Sequence, residues 1–428
     1  MIRYSADIAI IGAGIAGIAT AYYLAQSGQQ TILLIDPRPP MSYTSAQSGD
    51  NYRNWWPHRT MTDFTNDSID ELERHAADSD NIFNLSRGGY VLATRREDIS
   101  TLVAAIPDDI AVDVYNQRLD IQRKFPALDP ATAHVIHIRR GGDISGQQLG
   151  QYFLGRLSGE KFARVSAEVV GIEQRGDRYQ LTAAAANQTV QIDTGLVVNA
   201  AGPFARHLAS MLDVELPLKN IYQQKIAFED TRSAIPRDMP FSIDLDPKTL
   251  TWTDEEKQWL SSEPNLAWLT EQLPPGTHCR PEGAARGKWV KLGWAYNATS
   301  SEPQHELANE PAIDAQFPEI VLRGAAMFLP SLRPYVDAPP TRFNHYGGYY
   351  TMTEENWPLI GPMNDSGAFV VSGLSGFGSM SACAAGKLAA AHIRGGTLPT
   401  YASDLSLARL QNDTLLASLR NDPNKGLL

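Results

Sequence analysis

Asp7-Ile8-Ala9-Ile10-Ile11-Gly12-Ala13-Gly14-Ile15-Ala16-Gly17, answered downstream by Thr31-Ile32-Leu33-Leu34-Ile35-Asp36, is the stretch that decides the fold. It reads as a strand, a glycine turn, a small-residue helix, a second strand and a terminal acid, which is the order of a dinucleotide-binding βαβ unit. Gly12 permits the tight turn out of the strand at residues 8–11, and Gly14 lets backbone approach a pyrophosphate where a Cβ would collide. Gly17 lets the helix lie close against the sheet. The helix runs through Ala19, Tyr23 and Leu24 to Gly28 at its C-terminal side, and its N-terminus offers N–H groups and a positive dipole end to phosphate oxygens. Residues 31–35 form the second strand. Asp36 follows where a carboxylate accepts the ribose hydroxyls of an adenosine and repels a 2′-phosphate, which disfavours NADP.

The rest of the composition bounds the answer. At 428 residues, 43% hydrophobic and 20% charged, the chain is long enough for two lobes with a substantial core and is not of disordered composition. A formal net charge of -11 argues against a nucleic-acid surface and against attachment to an anionic membrane. Cys279 and Cys383 are the two cysteines, too few for a disulfide framework or a four-cysteine zinc site, and this suits a reducing cytoplasm. No run approaches the length of a transmembrane segment, and the first apolar run lacks the long core and cleavage site of a signal sequence. No zinc helix of HExxH type and no GxxxxGK[ST] phosphate loop occurs, so no metal site is expected and hydrolase and ATPase chemistry are set aside.

Further along, residues 37–52 read as a loop and 63–77 as a helix. Short strands are expected at 88–94 and 136–138, and a helix opening at Ser145. Residues 165–172, 179–183 and 190–192 resemble an antiparallel meander leading into the strand 196–199, the turn at 200–203 and a helix from Phe204. Residues 230–317 are the least regular, with short helices around Trp259 and Trp268 and a strand at 289–294. Strands at 349–351 and 369–372 and a helix at 379–391 then return to nucleotide-domain chemistry.

A dinucleotide unit alone does not separate NAD from FAD. The second glycine cluster, Gly373-Leu374-Ser375-Gly376-Phe377-Gly378, enters a small-residue helix and can set backbone N–H groups against a flavin ring, for which a NAD dehydrogenase has no use. At this point the chain resembles the D-amino-acid oxidase superfamily of FAD proteins, within it the branch of glycine oxidase, sarcosine oxidase and dimethylglycine dehydrogenase. The resemblance covers nearly the whole length. It is carried by the N-terminal unit, Thr44-Ser45 and Ser48-Gly49, Val198-Asn199-Ala200-Ala201-Gly202-Pro203, Tyr350-Thr351-Met352-Thr353 with Pro358-Leu359-Ile360-Gly361, and the final cluster.

The resemblance implies an α/β fold with an α+β second lobe. A discontinuous Rossmann-like FAD-binding domain would comprise 1–90, 140–225 and 340–428, and an antiparallel-sheet substrate domain 91–139 and 226–339. It implies FAD contacts from Gly12, Gly14, Ile15, Ala16 and Gly17, with Asp36 on the ribose and Val169 beside the adenine. Further contacts are implied for Thr44, Ser45, Ser48, Gly49, Ala200, Ala201, Gly202, Gly373, Ser375, Gly376, Phe377, Gly378, Ser379 and Met380. Relatives tether the flavin through a cysteine or a histidine at positions that are Gly348 and Ala46 here, so noncovalent FAD is expected. Met380 stands where sarcosine oxidases hold the substrate carboxylate with a lysine.

Four residues are candidates for the chemistry. Lys291, in Val290-Lys291-Leu292-Gly293-Trp294, is similar to the lysine that sarcosine oxidases present to the flavin, where a buried ammonium favours reaction with O2. Arg53 and Arg333 compete as carboxylate clamp, since a guanidinium suits bidentate recognition. Tyr350, with His345, Tyr346 and Tyr349, is placed to line an amine pocket. Thr253 and Glu256 are spaced as a capping box before Trp259. The expected activity is oxidation of a small-molecule amine or amino acid, free or N-substituted, to an imine by hydride transfer to flavin N5, with O2 as acceptor. Two alternatives stay open: a dehydrogenase of the same fold that hands electrons to a quinone or electron-transfer protein, and a flavin-loaded assembly factor without turnover.

Overall fold

The computed structural model describes residues 2–186, 188–283, 286–304 and 314–421. The chain opens with β1 (Ile2–Ile11), α1 (Ile15–Ala25) and β2 (Ile32–Ile35), then β3 (Asn51–Arg53) and α2 (Arg59–Asp78). β4 (Tyr90–Thr94), α3 (Ser100–Ala104), β5 (Val112–Tyr115), α4 (Arg118–Lys124), β6 (His134–Ile138) and β7 (Gly141–Asp143) follow. Next are α5 (Gly146–Leu154), β8 (Phe162–Val165), β9 (Glu168–Arg175), β10 (Arg178–Ala185), β11 (Gln188–Asn199) and α6 (Ala205–Ser210). The middle of the chain contributes β12 (Lys219–Glu229), β13 (Phe241–Asp244), β14 (Lys248–Thr249), α7 (Asp254–Ser262), β15 (Gln272–Leu273), β16 (His278–Glu282) and β17 (Trp289–Gly293). The last part holds α8 (Phe317–Ala326), α9 (Arg333–Asp337), β18 (Phe343–Met352), β19 (Leu359–Pro362), β20 (Ala368–Ser372), α10 (Gly378–Arg394) and α11 (Asp413–Arg420).

The first sheet runs β19-β20-β11-β1-β2-β8, with β10 and β9 added beside the first half of β11. Its pairs from β8 to β20 are parallel, and β19 is antiparallel. A central parallel strand is covered on both faces, and β1 shows the consequence. Ile8 and Ile10 enter a core shared with α1, α2, α5 and α10, whereas Ala9 and Ile11 enter a second core with β9 to β11 and α6. The alternation is that of any strand, but here both faces are apolar, so the run reads as continuous.

The second sheet runs β18-β12-β17-β16-β13-β4-β6-β5 and is antiparallel except at β13–β4. One of its faces packs against α8 and α9 through Ile226, Phe228, Leu292, Val321 and Tyr335. The molecule is thus an α/β lobe of dinucleotide-binding type joined to an α+β lobe.

Three local expectations change. β1 and β11 are longer than the apolar runs suggest, because Ile2–Ala6 pairs with Val190–Thr194 and joins the segments 190–192 and 196–199 into one strand. Val165 ends β8, which pairs with β2, and the meander begins only at Glu168. The sheets also divide the chain differently from the expected boundaries at 225 and 340. All of β12 and β18 belongs to the second sheet, since β12 is paired on both sides, to β17 and β18. Around the tryptophans, α7 carries the capping box between Thr253 and Glu256, followed by a 3-10 turn at Ala267–Thr270. Trp259 is 56% exposed. Among the described residues no helix is long and apolar enough to cross a membrane.

Candidate active site

An elongated cavity of about 1450 Å³, its open mouth included, runs between the two lobes. Its first end is built by the β1–α1 turn. Gly12 has φ +109°, and a Cβ there would lie 2.3 Å from the carbonyl oxygen of Ala200, so only glycine lets the chain pass. Gly14 caps α1 without any side-chain hydrogen bond, leaving the positive end of the helix facing the cavity beside Ile15 and Ala16. Gly17 does not face the cavity. A Cβ on it would stand 1.9 Å from the Gly12 carbonyl oxygen, so its task is to let α1 close onto the turn.

Asp36 lines this end with its carboxylate already engaged: Oδ2 accepts the Ala13 N–H at 2.7 Å and Oδ1 the Arg38 N–H at 2.9 Å. Those bonds fix the orientation of the acid and leave it lone pairs for hydroxyl donors. Val169, Ala200, Ala201 and Gly202 complete the wall. Thr44, Ser45, Ser48 and Gly49 also line it, with Ser45 Oγ accepting the Ile15 N–H at 3.0 Å.

At the other end β20 runs into Gly373 (φ +71°) and Ser375 (φ +45°), and α10 begins at Gly378 without a side-chain cap. Gly373, Ser375, Gly376, Gly378 and Ser379 line the cavity. Gly376 lets the ring of Tyr350 approach, since a Cβ would lie 2.5 Å from its Cζ. Phe377 and Met380 point elsewhere. Phe377 packs edge-on against Trp56 at 5.2 Å, and Met380 is buried in the core shared with α1, α2 and α10, outside the lining. Thr44 Oγ1 and Ser372 Oγ line the cavity yet are buried without hydrogen-bond partners. These hydroxyls can bond a polar ligand, and the N-termini of α1 and α10, the first of which gives its Ile15 N–H to Ser45, add sites for anionic oxygens, so the cradle fits a flavin dinucleotide.

The charged residues at the second end are not the expected set. Lys291 is outside the lining, with its Nζ 2.8 Å from Glu282 Oε1. Arg280 holds the same carboxylate at 2.8 Å and Asp143 at 2.9 Å. Burial first and Arg280 second pull the Lys291 ammonium below its usual range. Lys225, on β12, does line the cavity, is 4% exposed and makes no ion pair among the described residues. Burial pushes it down to about 8, with the Asp50 carboxylate acting in the opposite direction. Its Nζ lies 5.4 Å from the Tyr350 ring centre, and burial pushes that phenol up to about 12.

Arg53 is also outside the lining and 2% exposed, with its guanidinium 4.0 Å from the Trp56 ring centre and 4.9 Å from that of Tyr90. Its Nε and Nη1 have no hydrogen-bond partner. Arg333 is exposed at the start of α9 and does not reach the cavity. Tyr349 and Tyr350 line it. His345 instead bonds Gln224 at 2.9 Å and stacks on Phe317 at 5.4 Å. Lys225 is the residue that sequence reasoning missed. The signal was a lone lysine in the strand pattern Ile221-Tyr222-Gln223-Gln224-Lys225-Ile226-Ala227-Phe228.

Comparison with known proteins agrees with this architecture. The sequence profile of the family described as FAD dependent oxidoreductase matches residues 7–392. Among solved structures, L-proline dehydrogenase from P. horikoshii superposes with a TM-score of 0.73 at 17% identity, covering 96% of this chain and 99% of that one. Glycine oxidase from Geobacillus kaustophilus gives a TM-score of 0.72 at 15% identity, with 95% and 99% covered. NikD, described as an unusual amino acid oxidase essential for nikkomycin biosynthesis, gives 0.70 at 17% identity, with 94% and 97% covered. These likenesses establish the fold. A search among curated protein sequences finds no match.

Proposed function

We propose, for a chain that belongs to the family of FAD-dependent oxidoreductases, that it oxidises an amino acid whose carboxylate is bound by Arg53. FAD would lie along the cavity, with its adenosine at Asp36 and Val169, its pyrophosphate at Gly14, Ile15 and Ala16, and its ring beside Gly376, Gly378, Ser379 and Tyr350. When bound, FAD supplies the hydride acceptor that turns an amine carbon into an imine, which water then hydrolyses.

The observation that carries the choice of an amino acid is the state of Arg53. A guanidinium buried without an acid partner is strongly disfavoured, and burial works against its charge here. The Arg53 Nε and Nη1 are buried without a hydrogen-bond partner outside the cavity lining, and a substrate carboxylate brought to the guanidinium would supply the missing acceptor and counter-charge. Trp56 and Tyr90 hold the guanidinium plane on two sides and exclude water from it. Lys225 takes the role expected of Lys291: it keeps a cation at the ring end of the cavity, where negative charge delivered to O2 is stabilised. Oxygen is therefore the proposed acceptor, and noncovalent attachment agrees with Gly348 and Ala46 at the two tethering positions.

The test is anaerobic mixing of the FAD-loaded protein with paired compounds, each amino acid or N-methyl amino acid beside the amine that lacks its carboxylate. Loss of the yellow absorbance with the acid of a pair and not with the amine is expected. Equal bleaching by both members would remove the carboxylate from the reading, and bleaching by none would remove the amine chemistry.

A further inference from the structure

We propose that Asp50 is a positioning residue that sets the charge of Lys225. The assignment rests on the reading that Lys225 faces the ring end of the bound cofactor. Asp50 lies in the turn between Gly49 and β3, and this turn rests on the lysine, because a Cβ on Gly49 would stand 3.7 Å from Lys225 Cε. Its backbone has φ +58°, in the left-handed region that few side chains other than Asn and Asp enter readily.

That conformation is held from several directions. The Asp50 N–H donates to Ser48 Oγ at 3.1 Å, its carbonyl accepts the Ile144 N–H at 2.9 Å, and Oδ1 accepts the Ser379 hydroxyl at 3.1 Å. Position 146 must be glycine for the acid to fit, since a Cβ there would lie 2.6 Å from Asp50 Oδ1. The carboxylate therefore sits where the first turns of α5 and α10 converge.

The groups facing Lys225 are few. Tyr346 lies directly opposite on β18, with Tyr350 four pairs along on the same face, and burial raises both phenols so that they are neutral. From β16 and β17 come His278, Arg280 and Lys291. His278 is pushed down to about 4 by burial and is also neutral. Arg280 and Lys291 spend their charge on Glu282 and Asp143. Among the described residues Asp50 is the one carboxylate that acts on Lys225, and it opposes the burial that favours the neutral amine.

The test uses the FAD-loaded protein and sulfite, whose anionic adduct with the flavin senses a nearby cation and is followed by bleaching without turnover. Sulfite affinity is measured from pH 6 to 10 for the wild type and variants, so that the titration of sulfite itself cancels. Wild type should show an inflection near the Lys225 value of about 8, and K225M should lack it. D50N, which tolerates the left-handed backbone, should move the inflection down by about one pH unit. D50G, free at positive φ, provides a second neutral variant should D50N fail to hold FAD. An unmoved inflection in both neutral variants overturns the assignment of Asp50 while leaving Lys225 in place. An inflection that survives in K225M removes Lys225 from the ring end, and the assignment with it.

Discussion

At its nucleotide end the cavity is lined by backbone from one contiguous βαβ unit and the turn after β11, whereas at its ring end the wall carries the charged side chain of Lys225 from β12, with Asp50 and the buried Arg53 of β3 outside the lining. On the proposed reading the first end recognises phosphate with N–H groups and helix ends, and demands only that Cβ atoms be absent at fixed points. The second, on the same reading, meets charge with charge, and depends on which buried cations lack a counter-ion. A perturbation at the first end should therefore act through shape and remove the cofactor, and one at the second should leave the cofactor bound and change what it does.

The largest effect is expected at Gly17, which never touches the cavity. Its Cα faces the Gly12 carbonyl so closely that an added Cβ would be 1.9 Å from the oxygen, and backbone cannot yield as a flexible side chain can. G17V should force α1 off the turn and yield protein without bound flavin, read as the ratio of visible to ultraviolet absorbance after gel filtration. A yellow G17V protein with wild-type flavin content would break the comparison at its stronger side.

Next comes Arg53. Removing one member of a buried charge pair costs roughly 2–5 kcal/mol, so R53M should lower kcat/KM for the preferred amino acid by about 30- to 5,000-fold and leave flavin content unchanged. The loss should vanish for the amine that lacks the carboxylate. An equal loss on both compounds would mean that Arg53 supports the loop, with Trp56 and Tyr90 as its packing partners, and does not bind substrate.

The two ends also differ in how far they could be read from residues. Gly12, Gly14, Gly17, Asp36 and the cluster from Gly373 were legible because their tasks are local: each is dictated by backbone geometry within a few positions of itself, and spacing records that. The pairing of Ile2–Ala6 with Val190–Thr194 was not, because a polar half-strand becomes a strand only when a distant partner extends it. Between Arg53 and Arg333 spacing offers no choice; the fold buries the first outside the cavity lining and leaves the second exposed at the start of α9. Between Lys225 and Lys291 the sequence has no means to choose. Both sit in apolar strands, and what separates them is Glu282, which engages Lys291 from the neighbouring strand β16.

That last contrast yields the smallest and most discriminating prediction. Lys225 and Lys291 lie on the same face of adjacent strands, opposite Gly293 and Ala227 respectively, so their local surroundings are alike and their counter-ions are not. K225M should slow reoxidation of the reduced enzyme by O2 by about 10²-fold while sparing reduction by substrate, since one well-placed charge at a site of developing charge contributes about that much. In the wild type the same step should slow as pH rises through about 8, where the ammonium loses its proton, and K225M should be flat across that range. K291M should change reoxidation by no more than about two-fold. Its cost should fall on stability instead, by about 1–2 kcal/mol in urea unfolding, below the 3–5 kcal/mol of a fully orphaned buried ion, because Arg280 still holds Glu282. If K291M slows the oxygen reaction as much as K225M does, the unpaired state of Lys225 is not what selects it, and the ring end would have to be read from the whole charged face of the sheet.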